Sequence, residues 1–364
     1  MAKNPLDVIG GVDTHKHTHY AAAIDATGAF LGDAEFPACA DGYRDLLAWL
    51  RTHGTLKAIG IEGTGHFGTT LTRYLTAAGE RVVEVNRPNR LARRFEGKSD
   101  RLDAQQAARS VLSGAASATP KAKTGVIEVI RILRVTRGNA IKARTMAFNL
   151  LSGVVVTAPS PLREELVVLT KRTLVNRCAR LRPESDDLVS LVGDPERLLV
   201  CGSKHALREL ARRYQALDAE VKELSAQIAR LVEWVAPELI AVFGVGTELA
   251  GQFLVTVGDD FGRIRSEAAL AKICGVAPKP TGSGKTSGRH RLNRSGDRAA
   301  NSALYIVTLV RMRHHAPTRA YVERRTAEGL SRREIIRCLK RYVVREIFAA
   351  LPKSVVVEGV REAA

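Results

Sequence analysis

Nine residues, Leu207, Leu210, Tyr214, Leu217, Val221, Leu224, Ile228, Leu231 and Val235, recur at alternating spacings of three and four. An apolar seam sustained for about four heptads fits one helix with a single stripe and fits no strand. Such a stripe needs a second helix to cover it. The helix-like segment 126–151 of the same chain, or the same helix of another copy, can supply the cover, and the sequence does not choose between them. Pro237 ends the helix, because proline lacks a donor and its ring clashes with the preceding turn.

Ahead of the seam the period changes. DVIGGVD, HYAAAID and FLGDAEF read as three strands separated by the turn-like THKHT and ATGA, and such close spacing predicts an antiparallel meander. A helix from Asp41 to His53, a strand KAIGIEG, a helix starting near Gly65, a strand RVVEV and a helix from Leu102 to Leu112 then alternate. Strands joined through helices pair in parallel. A meander followed by alternation is the order of a ribonuclease-H-like fold. The polar stretch SATPKAKTG marks a boundary. At 364 residues the chain is long enough for two or three cores. The expected domains are 1–118, a nuclease-like α/β domain; 119–236, a helical coiled-coil region; and 237–364, a mostly α carboxy-terminal domain.

A net charge of +18 and a pI near 10.1 favour a polyanionic partner, since binding one releases its condensed counterions. The five cysteines, Cys39, Cys178, Cys201, Cys274 and Cys338, are scattered and form no C-x-x-C pair. Neither a zinc site nor a disulfide framework follows, and they read as small buried apolar residues. No apolar run is long enough to span a bilayer and no secretory h-region opens the chain, so a cytoplasmic protein with no membrane association is expected.

Asp13 closes the first strand, Glu62 ends KAIGIEG, and Asp100 and Asp103 stand three apart, on one face of a helix. If the two strands are neighbours, four carboxylates converge. Converging carboxylates call for a hard cation, and a pair of Mg²⁺ ions about 4 Å apart is the usual arrangement for in-line phosphoryl displacement. Each residue has a plainer role open to it: Asp13 capping a turn, Glu62 an exposed strand end, Asp100 a helix N-cap with Asp103 in its first turn. His15, His17 and His19 alternate as on a strand, and with no further cysteine or histidine cluster they read as turn and surface residues near the nuclease centre. Arg87, Arg90, Arg93, Arg94, Lys98 and Arg101, opposed only by Glu96 and Asp100, form an expected phosphate-tracking surface.

In the carboxy-terminal region ELIAVFGVGTELAGQFL resembles a helix-hairpin-helix, whose backbone N–H groups bind phosphate; an ordinary helix–helix turn is the alternative. GSGKT suggests a P-loop, but Lys279 stands where the motif needs glycine and GVAPKPTG is a poor strand, so nucleotide binding is rejected. Ser283, between two glycines, is approachable. Lys279, Lys285, Arg289, Arg291, Arg294 and Arg298 surround it against Asp297 alone. A phosphate-contacting loop and a nucleophilic serine both fit. From Arg311 to Arg345 eleven arginines and lysines face three glutamates, the densest expected nucleic-acid footprint.

GVDTHKHTHYAAAID, IEGTGHFG and KSDRLDAQQAA, followed by FGVGTELA and GVAPKPTGSGKTSGR with a basic, asparagine-containing helix start, resemble in order and spacing the DEDD transposases of the insertion-sequence one-ten family. The resemblance spans nearly the whole chain. It implies a RuvC-like amino-terminal domain, Asp13, Glu62, Asp100 and Asp103 as metal-binding tetrad, and Ser283 as the group attacking a DNA phosphate through a phosphoserine link. It also implies a composite site in a dimer or tetramer held by the coiled coil. A noncoding "bridge" RNA that selects target and donor DNA and action at the bacterial nucleoid are implied as well. Two departures stand out: Gly282, where many relatives carry a second serine or another residue, and Gly296-Asp297 in place of the usual Gly-Asn pair. Beside transposition, the resemblance admits a site-specific invertase. The residues also admit a hydrolytic junction nuclease using water, or a non-catalytic nucleic-acid-binding protein.

Overall fold

The three apolar runs at the start of the chain form β1 (Asp7–Thr14), β2 (Thr18–Asp25) and β3 (Phe30–Pro37), paired antiparallel as a meander. The computed structural model describes residues 6–85, 99–280, 290–292 and 296–353. The alternating half follows as α1 (Ala40–Thr52), β4 (Thr55–Glu62), α2 (Thr69–Ala77), β5 (Val82–Val85) and α3 (Asp100–Leu112). The sheet order is β3-β2-β1-β4-β5, with β4 parallel to β1 and to β5. This mixed five-stranded sheet is consistent with a ribonuclease-H-like core. α2 starts at Thr69 rather than near Gly65, because the chain first turns on Gly63, whose φ of 75° favours glycine.

Strand periodicity sends Val8, Gly10 and Val12 to one face of the sheet. There Val8 and Val12 pack with Tyr43, Leu46 and Leu50 of α1 and Leu71 and Leu75 of α2. Full burial of each large aliphatic there is worth about 1.5–3 kcal/mol. Ile9, Gly11 and Asp13 point to the opposite face, where Ile9, Ala58, Val83 and Ala108 form a second, smaller cluster under α3. Gly11 and Gly60 are register partners across β1 and β4, and α3 lies directly on them. A Cβ on Gly11 would stand 2.1 Å from the Ala104 carbonyl oxygen and 2.4 Å from the Ala108 nitrogen, and one on Gly60 would stand 2.7 Å from the Ala107 carbonyl oxygen. Only strands bare at both positions let this helix descend so far.

The chain divides into two compact units, one mainly of residues up to 125 with 257–265, the other of 126–256 and 266–352. In the second unit α4 (Gly125–Thr157) runs beside α7 (Pro195–Val235), and as numbers rise along one they fall along the other. Arg137 Nη1 donates to Ser225 Oγ at 3.3 Å and Arg144 Nη1 to Asp218 Oδ1 at 2.5 Å. The Phe148 and Tyr214 rings lie 5.9 Å apart, and Leu151 and Val155 share a buried cluster with Leu207 and Ala211. Much of the seam therefore has a covering helix within its own chain, antiparallel to it. Two short helices, α5 (Ser160–Val167) and α6 (Lys171–Ala179), close this cluster with Leu162, Leu166, Leu174 and Cys178. α7 begins earlier than its apolar period, because Asp194 caps it, accepting from the Arg197 N–H at 3.2 Å, and Pro195 is tolerated in the first turn.

The rest of this unit comprises α8 (Pro237–Ala241), α9 (Thr247–Val257), α10 (Glu267–Ile273), a ladder of β6 (Pro278–Pro280) with β7 (His290–Leu292), α11 (Arg298–His314), α12 (Ala316–Ala327) and α13 (Arg332–Ala350). The segment read as a poor strand supplies a three-residue one at β6. α8 and α9 are joined through Gly244, φ 82°. A capping box between Ser331 and Glu334 starts α13.

The count of basic residues between Arg311 and Arg345 overstates the nucleic-acid footprint. Arg311 is buried, donating to the Phe243 carbonyl and in two bonds of 2.7 Å to the Glu346 carboxylate, and Lys340 is buried against Asn301. Both hold helices together. Among the cysteines Cys178, Cys201 and Cys274 are buried as expected, whereas Cys39 is exposed and Cys338 half-buried; burial pushes the Cys274 thiol up to about 12 and that of Cys178 to about 11. Among the described residues no helix is long and apolar enough to cross a membrane.

Candidate active site

Two neighbouring parallel strands end in the same way: Gly11-Val12-Asp13 on β1 and Gly60-Ile61-Glu62 on β4, with Val12 opposite Ile61. Alternation places Asp13 and Glu62 on the face that carries α3. A hydrogen bond of 2.8 Å from Thr14 Oγ1 to the Glu62 carbonyl ties the two strand ends together.

α3 meets this edge with its amino terminus. Ser99 is the cap, its Oγ accepting from the Leu102 N–H at 3.3 Å, so Asp100 is the first helical residue and not the cap. Asp103, one turn on, is only 2% exposed. Helix dipoles favour acids in a first turn, yet a dipole does not explain burying one against another acid. The contact with Gly11 and Gly60 sets how low the helix sits, and therefore how close Asp100 and Asp103 come to Asp13.

Burial pushes the Asp13 carboxyl above its ordinary value; His15 pulls it back, and the charges of Asp103 and Asp100 raise it further. A cation bound beside Asp13 would relieve that repulsion. His15 Nε2 lies 3.4 Å from Asp13 Oδ2 and 3.3 Å from Asp100 Oδ1 without a hydrogen bond in acceptable geometry. Ligating atoms of Asp13, His15 and Asp100 all fall within 4.8 Å of one another. A hard divalent ion suits such a set: oxygen donors in excess, one imidazole, and an orphaned ring nitrogen aimed inward.

The structure thus groups Asp13, Asp100 and Asp103, with Glu62 on the adjacent strand end, and adds His15 to them. His17 is exposed in the turn. His19 corrects the expectation of a surface residue: it is fully buried, stacked on Tyr43 with centroids 5.6 Å apart, and burial lowers its pKa. A further signal for two of the acids is the glycine-apolar-acid triplet at 11–13 and 60–62, which only the strand register makes meaningful.

Arg87, Arg90, Arg93, Arg94 and Lys98 lie outside the described residues. Arg101, counted with them, pairs with Asp33 at 3.2 Å and stacks over Phe30, so it is not wholly available to a phosphate. Ser283, Lys285, Arg289 and Arg294 also lie outside the described residues; Lys279 and Arg291 are register partners on β6 and β7.

What the structure does describe is the base of that serine-bearing segment. Asp297 N–H donates to the Ile273 carbonyl at 2.7 Å, and a Cβ on Gly296 would stand 2.1 Å from the Gly275 nitrogen. Asp297 Oδ1 caps α11, accepting from the Ala299 and Ala300 N–H groups, while its Oδ2 accepts from Thr256 Oγ1 at 2.8 Å. Asn301 Nδ2 donates to the Cys274 and Gly275 carbonyls, and Lys340 Nζ donates to Asn301 Oδ1 at 2.7 Å. Aspartate in place of the usual asparagine therefore serves as a helix cap here, and the loop leaves a fixed frame.

Two family models match the chain: one described as "Transposase" over residues 10–158, and one described as "Transposase IS116/IS110/IS902 family" over residues 236–323. The first holds all four acids and the second holds Ser283. The chain belongs to this family of insertion-sequence transposases. The transposase is 25% identical to the insertion element IS116 uncharacterized 44.8 kDa protein of Streptomyces clavuligerus, over 94% of each chain. It is likewise 25% identical to the IS900 uncharacterized 42 kDa protein of Mycobacterium paratuberculosis, over 94% of this chain and 95% of that one. Against the IS110 protein of Streptomyces coelicolor identity reaches 31%, over 39% of this chain and 35% of that one. Membership makes DNA cutting and rejoining its class of reaction, DNA its partner, and a divalent metal its requirement.

Proposed function

We propose that this transposase is a site-specific DNA recombinase in which Asp13, Glu62, Asp100 and Asp103 hold a pair of Mg²⁺ ions and Ser283 is the nucleophile. The observation that carries the metal site is the burial of Asp13 between the like charges of Asp100 and Asp103. When bound, the ions would supply Lewis-acid stabilisation of charge developing on a phosphoryl oxygen. His15 Nε2, 3.4 Å from Asp13 Oδ2 and 3.3 Å from Asp100 Oδ1, stands where it could join them as a ligand.

The serine step balances simply. Ser283 Oγ bonds to the scissile phosphorus, the bond from phosphorus to one deoxyribose oxygen breaks, and the serine proton is exchanged for one on the departing oxygen. Strand exchange reverses these bonds with a different deoxyribose oxygen. The frame at Ile273, Gly296 and Asp297 supports the reading by anchoring both ends of the serine segment. Arg87, Arg90, Arg93, Arg94 and Lys98, with Lys279, Lys285, Arg289, Arg291 and Arg294, track phosphates, as does the glycine turn before α9 in the manner of a helix-hairpin-helix. The nuclease domain is 1–118, the helical region 119–236 and the serine-bearing domain 237–364. Target choice lies in pairing with a noncoding RNA, the two domains act together in a dimer or tetramer with α7 in a coiled coil, and the protein works in the bacterial cytoplasm at the nucleoid.

The test is the fate of the cut strand. The unaltered protein is expected to yield a DNA strand that migrates with protein and a nucleotide adduct mapped to Ser283 by mass spectrometry, and Ser283→Ala to lose both cleavage and adduct. Free ends produced at an undiminished rate by Ser283→Ala would instead establish water as the nucleophile.

A further inference from the structure

The carboxy-terminal helices enclose a cleft of about 630 Å³ that the recombination chemistry above leaves unused. It lies among α12, α13 and the start of β6, and its walls include Tyr321, Tyr342, Arg324, Arg337, Arg341 and Arg345. The volume falls in the range of small-molecule pockets. Its chemistry is unusual in two respects.

First, arginine outnumbers acid even after pairing: Arg324, Arg325, Arg337, Arg341 and Arg345 stand against Glu334 in the wall and Glu267 and Glu328 beside it. Arg341 and Arg345 share the Glu267 carboxylate at 3.1 and 3.0 Å, and Arg324 and Arg325 share Glu328. Glu334, the acid in the wall, accepts from the Ser331 hydroxyl and N–H, which together with the nearby charge of Arg337 hold its carboxyl below the ordinary range. Arg337 has no ion pair among the described residues. Arg341 Nη1 and Arg325 Nε are buried without a hydrogen-bond partner. An arginine without an ion pair in the wall of a cleft, as Arg337 is, suits an oxyanion.

Second, the floor is aromatic. The Tyr321 and Tyr342 rings meet edge to face, centroids 5.6 Å apart at 76°, and Tyr342 is 46% exposed. Burial and the neighbouring Cys338 push the Tyr321 phenol up to about 12, so it remains a neutral donor. Arg345 lies over one part of the Tyr342 ring, 5.6 Å from its centroid, and a bare phosphate or an acidic side chain would satisfy the arginines but leave the exposed remainder of the ring unused. A nucleotide whose base has left its stack brings both a phosphate and a π-face.

We infer that this cleft receives one unpaired nucleotide of a nucleic-acid strand, its base stacked on Tyr342 and its phosphate held by Arg337 and Arg341. The inference rests on the reading of the chain as a DNA recombinase, whose strands must separate during exchange, and it adds a site distant in sequence from the acids. The strand is DNA or the RNA that pairs with it.

Binding of the full-length protein to labelled single-stranded DNA, single-stranded RNA of the same sequence, and the matching DNA duplex, followed by fluorescence anisotropy, tests this directly. Tyr342→Ala is expected to weaken single-strand binding about ten-fold, the loss typical of a stacking aromatic, and to leave duplex binding unchanged; Tyr342→Phe should restore it. Arg337→Ala should weaken the same binding and reduce its salt slope by about one. A loss confined to RNA, or to DNA, names the source. Tyr342→Ala binding single strands as the unaltered protein does, or losing duplex and single strand alike, overturns the assignment. If cleavage dependent on Asp13 and Ser283 persists in that case, only the cleft is rejected; if the unaltered protein neither binds nor cuts nucleic acid, the recombinase reading falls with it.

Discussion

Gly11→Ala should lower the thermal midpoint of the amino-terminal unit by about 10–20 °C, corresponding to about 3 kcal/mol in a domain of this size. The new methyl group would meet the Ala104 carbonyl oxygen at 2.1 Å and the Ala108 nitrogen at 2.4 Å. Both are helix backbone and cannot rotate away, which puts the cost at the upper end for an overfilled core. The remedy available to the protein is to lift α3. That movement would carry Asp100 and Asp103 away from Asp13, so strand cleavage should fail even where the fold persists. Gly10→Ala, one residue earlier and facing the Leu50 side chain at 3.0 Å, should cost far less. Calorimetry or thermal circular dichroism gives the order directly. Equal, small effects at Gly10 and Gly11 would mean that α3 does not rest on β1.

Asp13→Asn should have opposite effects on activity and on metal-free stability. Strand cleavage should fall by about a hundred- to a thousand-fold, the scale for losing one group that stabilises transition-state charge. Without metal, the variant should melt a few degrees higher than the unaltered protein. The sign follows from linkage. A carboxyl whose folded pKa is raised contributes stability that is full below its unfolded value, near 3.9, and is lost as pH rises through the folded value. Ionising Asp13 in its buried position beside Asp100 and Asp103 therefore costs the metal-free fold stability, and asparagine removes that cost. Metal should raise the midpoint of the unaltered protein and leave the variant unmoved. A variant that melts lower without metal, or that still gains stability from metal, would show that Asp13 is not where the charge is concentrated.

Much of this architecture is legible in the sequence because short, regular patterns determine it. The meander and the alternation that follows fix both pairing directions, and the heptad seam fixes α7. Asp13, Glu62, Asp100 and Asp103 can be picked out because each closes or opens an element. The function of Gly11 and Gly60 is not legible without the register, since a glycine in a strand carries no periodic signal and its meaning depends on which helix crosses it. His15 is similar: alternation with His17 and His19 groups three residues that the turn actually separates, leaving one at the acids, one in solvent and one in the core. Counting charges also misleads where a cation is structural. Arg311 and Lys340 belong to the interior because Glu346 and Asn301, remote in sequence, partner them.

Titration of the metal-free protein with Mn²⁺, read by electron paramagnetic resonance, addresses the gathering of the acids most directly. Saturable uptake of about two ions per chain is expected, lost in Asp13→Asn and in Asp103→Asn while both variants remain folded. Uptake unchanged in both variants, or none in the unaltered protein, would contradict a metal centre built from these four side chains.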